Sequence, residues 1–196
     1  MAKTGLALVL VLGIVGVAGA ADVYTDEASF LAAIPGGAGF LLEDFNGYTY
    51  GSYVAPTLTL GPVNGFSCII SATGPGSNNL YSGDGNMSTD SALDALRIDF
   101  TGPNPTYSTG GWFFAGDIMG GYIAQEVTLT LSDGTVYGPF VPASATTFVG
   151  FINDTTPLTW MTIDAADTPA NGWPTMDHYY VGHNPIPVEL QSFTIE

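Results

Sequence analysis

Apolar and polar residues alternate with a period of two along most of this chain, a pattern that predicts strands rather than helices. The clearest runs cover residues 126–131, 135–140, 146–152 and 158–163. Earlier runs cover 40–45, 57–60, 66–72, 95–100 and 111–114, and later ones 179–182 and 188–195. Within 188–195 the apolar phase shifts from Val188 and Leu190 to Phe193 and Ile195, which predicts a bulge near Gln191 and Ser192. Ser132-Asp133-Gly134 predicts a tight hairpin, because Asp-Gly supplies the positive φ such turns need. Residues 153–157, Asn-Asp-Thr-Thr-Pro, are expected to turn the next pair of strands in the same way.

Helical periodicity is confined to residues 25–34. There Thr25 is the expected cap, acids occupy the first turn, and Pro35-Gly36-Gly37 ends the run. About ten short antiparallel strands with frequent turns predict an all-β fold: a two-sheet, jelly-roll-like sandwich with one short N-terminal helix. No solenoid or propeller period and no linker composition interrupts the chain. Residues 21–196 are therefore expected to form one domain.

Residues 1–20 carry a different pattern. Lys3 precedes an apolar run from Gly5 to Val17, and Ala18-Gly19-Ala20 offers the small residues of a cleavage site. This is a secretory signal peptide, since the run is shorter than the ~20 residues a spanning helix requires. Export to the cell surface or medium is the expectation, with no membrane span in the mature chain.

Charge narrows the partners. Eighteen acids face two cations, Lys3 and Arg97, for a net charge of −16, and cleavage would leave Arg97 alone. Such a surface cannot neutralise phosphates, which argues against nucleic acid and anionic membranes. Cys68 is the single cysteine, so no intrachain disulfide can form. Its apolar surroundings, Phe66-Ser67-Cys68-Ile69-Ile70, predict a core residue rather than a nucleophile.

Several segments suggest chemistry. Gly110-Gly111-Trp112-Phe113-Phe114-Ala115-Gly116-Asp117-Ile118-Met119-Gly120-Gly121 has the glycine content of a phosphate loop. A strand follows it instead of a helix, no cation lies nearby, and Asp117 would repel phosphate, so a strand and turn are predicted. Residues 83–90 place oxygen ligands at alternating positions, as a calcium loop would. Thr89 and Ala95 stand where that loop needs glycine and glutamate, so a polar loop is expected.

Glu43, Asp44 and Asn46 lie near the start of the domain and Asp177 near its end. If the first and last strands are neighbours, these groups share one neighbourhood. They would then form either a structural calcium site or a set of solvated acids. His178 and His183 are spaced to opposite faces of a strand. A glycosidase pair of Glu43 with Asp164 or Asp167 is conceivable, but nothing in the sequence selects it. Trp112, Trp160, Trp173, Tyr179 and Tyr180 are candidates for stacking on sugar rings, although Trp112 and Trp160 equally suit a core.

The order of several short motifs carries a resemblance. It runs from Gly65-Phe66 through Leu96-Arg97-Ile98-Asp99-Phe100 and Gly110-Gly111-Trp112-Phe113-Phe114 with Asp117 and Gly120 after it. It continues in Val127-Thr128-Leu129-Thr130-Leu131-Ser132-Asp133-Gly134-Thr135 and Phe148-Val149-Gly150-Phe151, and closes on Met176-Asp177 and Tyr180-Val181-Gly182. Over roughly residues 40–183 this resembles the extracellular body of PEP-CTERM-type exported bacterial proteins, β-sandwiches of biofilm and matrix habitats. Those proteins end in a sorting tail with an apolar helix and an arginine cluster, which residues 184–196 lack, so anchoring by that route is not expected. The resemblance implies a secreted, non-enzymatic surface or matrix protein whose partners are extracellular polysaccharide or surface proteins. The alternative is a calcium-dependent carbohydrate-binding module.

Overall fold

The computed structural model describes residues 19–34, 39–49, 53–54, 56–83, 85–167 and 171–182. The expected bulge at Gln191 and Ser192, His183 and most of the leader lie outside them. The elements are β1 (Asp22–Tyr24), α1 (Glu27–Ala33), β2 (Phe40–Glu43), β3 (Tyr53–Val54), β4 (Thr57–Val63) and β5 (Phe66–Thr73). There follow β6 (Leu80–Ser82), β7 (Met87–Thr89), β8 (Ala95–Phe100), β9 (Ser108–Gly116) and β10 (Tyr122–Ile123). The rest are β11 (Val127–Leu131), β12 (Val136–Phe140), β13 (Phe148–Ile152), β14 (Trp160–Ala165) and β15 (Trp173–Gly182).

Among the described residues these strands form two antiparallel sheets, as the alternation predicts. One has six strands in the order β12-β11-β14-β8-β5-β4. The other has nine, with β1-β13-β9-β15-β7-β6-β3 as its main path, β2 beside β15 and β10 beside β9. The core lies between them. Phe66, Cys68 and Ile70 of β5, Leu96 and Ile98 of β8, and Met161 and Ile163 of β14 project from the six-stranded sheet. They meet Phe113 and Ala115 of β9, Val149 and Phe151 of β13, and Met176, Tyr179 and Val181 of β15. Each set follows the period of two that the sequence displays, except on β15, where the phase slips between Met176 and Tyr179. No helix of the described residues is long and apolar enough to cross a membrane.

The Asp-Gly hairpin forms as expected. Gly134 has φ of 90°, and Asp133 Oδ1 accepts a hydrogen bond from the Thr135 amide at 2.8 Å. Residues 153–157 do something else: they lead from β13 in one sheet to β14 in the other, so the expected hairpin is a crossover. Asn153, 1 % exposed, anchors that corner. Its Oδ1 accepts from the amides of Thr155 and Thr156 at 3.0 and 2.8 Å, and its Nδ2 donates to Gly19 O and Asp133 Oδ2. Residues 83–90, expected to be a polar loop, contain the short strand β7, held between β15 and β6.

The helix adds a third layer. Asp26 rather than Thr25 caps it, its carboxylate accepting from the Ser29 amide at 2.8 Å. Phe30, fully buried, lies on the outer side of the nine-stranded sheet with Phe148, Ile152 and Tyr180. The contact needs a glycine. A Cβ on Gly150 would stand 2.5 Å from the Phe30 ring, and one on Gly110, paired with Gly150 across β9 and β13, would stand 2.9 Å from the Gly150 Cα. These glycines give the aromatic ring a flat seat.

Candidate functional site

The outer face of the nine-stranded sheet carries the chemistry. On β9, Phe113 points into the core, so Trp112, Phe114 and Gly116 point outward. On β15, Met176 enters the core, which turns Trp173, Thr175 and Asp177 outward. The register pairs Trp112 with Asp177, Phe114 with Thr175, and Gly116 with Trp173. It continues from Thr175 to Ser88 on β7, and from Ser88 to Tyr81 on β6.

After Gly116 the chain folds into a compact turn. Asp117 Oδ1 accepts from the amides of Met119 and Gly121 at 2.8 and 2.9 Å, and the Asp117 amide donates to Gly121 O at 2.7 Å. Gly120 has φ of 83°, a conformation that favours glycine. The glycines of this stretch therefore serve a strand and a carboxylate-latched turn, as the sequence predicts. The tip side chains Ile118 and Met119 are well exposed.

Two cavities flank the turn. The one of about 300 Å³ is lined by Tyr81, Ser88, Asp90, Asp117, Met119 and Trp173. A shallower one of about 570 Å³ is lined by Asn86, Phe114, Met119, Gly121, Tyr122 and Ala145. Beneath the turn, Asn86 Nδ2 donates to Gly120 O at 3.3 Å, while its Oδ1 is buried with no donor. This side of the turn is rich in acceptors.

A second polar cluster sits where α1 meets the sheet. The register of β9 and β15 shifts between Asp177 and Tyr180, a bulge in which His178 takes φ of 48°. Its amide is held by Asp177 Oδ1 at 2.6 Å. The bulge turns Asp177 and His178 to the same side. The His178 ring stacks on Trp112 with 4.6 Å between centroids, and its Nε2 lies 3.0 Å from Glu27 Oε1 of the helix. Tyr180 donates its hydroxyl to the same Glu27 oxygen at 2.5 Å. Burial, together with that carboxylate, pushes the Tyr180 phenol well above its usual range. These bonds tie the helix to the sheet.

The acids singled out in the sequence do gather near this bulge. β2 runs antiparallel to β15 with Glu43 opposite Tyr179. Partial burial pushes the Asp177 carboxyl above its ordinary value, and the charges of Asp44 and Glu43 push in the same direction. Each acid also has a local donor. Glu43 Oε1 accepts from the Phe45 amide at 2.8 Å, and Asp44 Oδ1 from the Asn46 amide at 3.2 Å. Hydrogen bonds from Asn46 hold the Asp44 carboxyl below its usual range. The Asn46 side chain leans toward Gly85. Among the described residues no three His, Cys, Asp or Glu side chains stand close enough to hold one ion.

A thermal melt with and without chelator tests the calcium expectation for Glu43, Asp44, Asn46 and Asp177. With the carboxylates engaged by backbone amides, the two melts are expected to superimpose. An occupied site at a hundredfold excess over Kd would add about 2.7 kcal/mol, or roughly 5–10 °C.

The remaining candidates separate. Asp164 projects from the outer side of β14 in the six-stranded sheet, so it does not face Glu43 of the nine-stranded sheet across a cleft. Tyr179 is fully buried and accepts from the Thr109 hydroxyl, and Tyr180 lies under the helix, so neither offers a ring face to a sugar. Trp160 is half-buried on the outer side of the six-stranded sheet, beneath the Arg97 guanidinium at 4.8 Å. Trp173 does line a cavity. It and its companions Tyr81, Asp90 and Asp117 escaped the sequence as a group because the four lie on separate segments. Asp117, bracketed by glycines, and Asp90, at the end of the polar stretch 83–90, each carried a local signal.

No family model, no curated protein and no solved structure matches the chain. Its class rests on its own geometry: an antiparallel two-sheet sandwich with a helix and an aromatic, acidic cavity on one outer face.

Proposed function

We propose that this is an exported, non-enzymatic protein of the cell surface or extracellular matrix that attaches to polysaccharide through the cavity beside Trp173. The observation that supports this most is the lining of that cavity, where two aromatic rings, Tyr81 and Trp173, stand with two carboxylates, Asp90 and Asp117. A pyranose ring has an apolar C–H face that stacks on an aromatic side chain, and hydroxyls that donate to carboxylates. The cavity volume of about 300 Å³ lies at the lower end of the range for small-ligand sites, which suits one sugar unit of a longer chain. The leader-like segment and the acidic composition agree with an exported protein.

Titration against a panel of soluble oligosaccharides, with calcium and then with chelator, tests the proposal. The wild-type protein is expected to bind at least one glycan class in both conditions. Trp173→Ala is expected to weaken that binding by about tenfold or more, the effect of losing a stacked ring. Binding that vanishes with chelator would assign a calcium-dependent module, and binding indifferent to Trp173 would move the site elsewhere.

A further inference from the structure

Resting on the glycan-binding reading, we infer that the sugar selected by the Trp173 cavity carries a free amine, as a glucosamine-type polymer does. The lining supplies acceptors. Asp117 commits Oδ1 to two backbone amides, and Asp117 and Asp90 are both among the residues that line the cavity. No lysine or arginine is among the lining residues. Arg97 sits on the opposite sheet, paired with Asp99 at 2.8 Å and stacked over Trp160.

Such a lining calls for a ligand that brings donors and positive charge. A hydroxyl brings one donor along with lone pairs of its own. A protonated amine brings three donors and a charge that both carboxylates attract. The faces of Tyr81 and Trp173 add a cation–π attraction that a neutral sugar lacks. The net charge of −16 acts in the same direction at longer range and repels uronates and sulfated glycans. The geometry thus ranks free-amine sugars above neutral ones, and neutral ones above acidic ones.

The test uses the whole protein with chelator present and three soluble tetramers: glucosamine, its fully N-acetylated form, and a uronate. Binding is measured below the pH at which the sugar amine loses its proton. The glucosamine tetramer is expected to bind about tenfold more tightly than the N-acetylated one. Added salt should narrow that gap as it screens the charges. Asp90→Asn, with its thermal melt checked against wild type, should weaken the glucosamine tetramer more than the N-acetylated one and so narrow the preference. Trp173→Ala should weaken both tetramers. Equal binding of the amine and N-acetyl forms would overturn the amine inference and leave the glycan-binding reading standing. Glucosamine binding that survives both substitutions would place the amine on the general acidic surface and overturn it too. Binding of none of the three would overturn the reading together with the inference.

Discussion

Replacing Phe30 by Ala is expected to strip the helical layer from the outer face of the nine-stranded sheet. Phe30 is fully buried among Phe148, Ile152 and Tyr180, with its ring on the flat seat that Gly150 leaves. Truncating a buried Phe costs about 3–5 kcal/mol, from lost transfer energy plus the cavity left behind. Helix α1 has seven residues, far too few to hold itself together in water. Its remaining ties are Leu31 and Ile34 at the margin of the same cluster and the partly exposed polar contacts from Glu27 to His178 and Tyr180, which are weak by comparison. The amides of α1 should therefore lose protection from hydrogen exchange, and the melting temperature should fall by about 10 °C. Release of Glu27 also frees the His178 ring that stacks on Trp112, so tryptophan fluorescence should change at temperatures where the sheets are intact. A fall of less than about 2 °C with α1 still protected would show that Phe30 does not hold the layer.

The second large effect concerns Cys68. Its side chain is fully buried between the sheets, and burial, with a smaller contribution from the Glu43 charge, pushes the thiol up to about 12 from 9.0. The thiolate is the reactive form, so at pH 8 its population falls by roughly a thousandfold before access is even considered. Iodoacetamide should label the native protein only as fast as the protein unfolds, and label one site per chain promptly in denaturant. The native rate should then follow the unfolded fraction and fall about a thousandfold or more below the rate in denaturant. Labelling within minutes under native conditions would mean that β5 opens locally, which its position between β4 and β8 argues against.

Much of this architecture was legible because the strands that build the core bury one face and leave the other outward. Phe66, Cys68 and Ile70, or Val127, Leu129 and Leu131, display that division directly. The strands β6 and β7 were not legible. Ser82, Ser88 and Thr89 are polar yet buried; Ser82 and Thr89 donate to the nearby carbonyls of Gly83 and Ser91, but Ser88 is satisfied by distant partners, donating to Pro174 O and accepting from Thr175. A polar residue saturated by a partner more than eighty positions away has no signature in its own segment. The bulge at His178 escaped for a related reason. The phase from Met176 to Tyr179 slips by one residue, but both residues are apolar, and nothing local distinguishes a slip from the end of a strand.

The candidate site divides along the same line. The Asp117 turn was visible in its glycines, since only glycine readily takes the φ of Gly120. Its grouping with Tyr81, Asp90 and Trp173 was not, because these meet through the β6-β7-β15 register alone. Glu43, Asp44 and Asp177 come near one another through the pairing of β2 with β15, while their local amide donors are a matter of backbone path.

By itself the sequence determined an all-β sandwich, its principal strands, its hairpin at Gly134, the acidic surface and the core position of Cys68. Those properties follow from side-chain periodicity, composition and the steric allowance of glycine, all of which act within a few residues. Only the tertiary structure decided which face of Trp112-Phe113-Phe114 is core, that a helix covers the other face, and which rings and carboxylates share a cavity. These depend on strand register and on which sheet each crossover enters, both set by the sum of contacts between segments far apart in the chain.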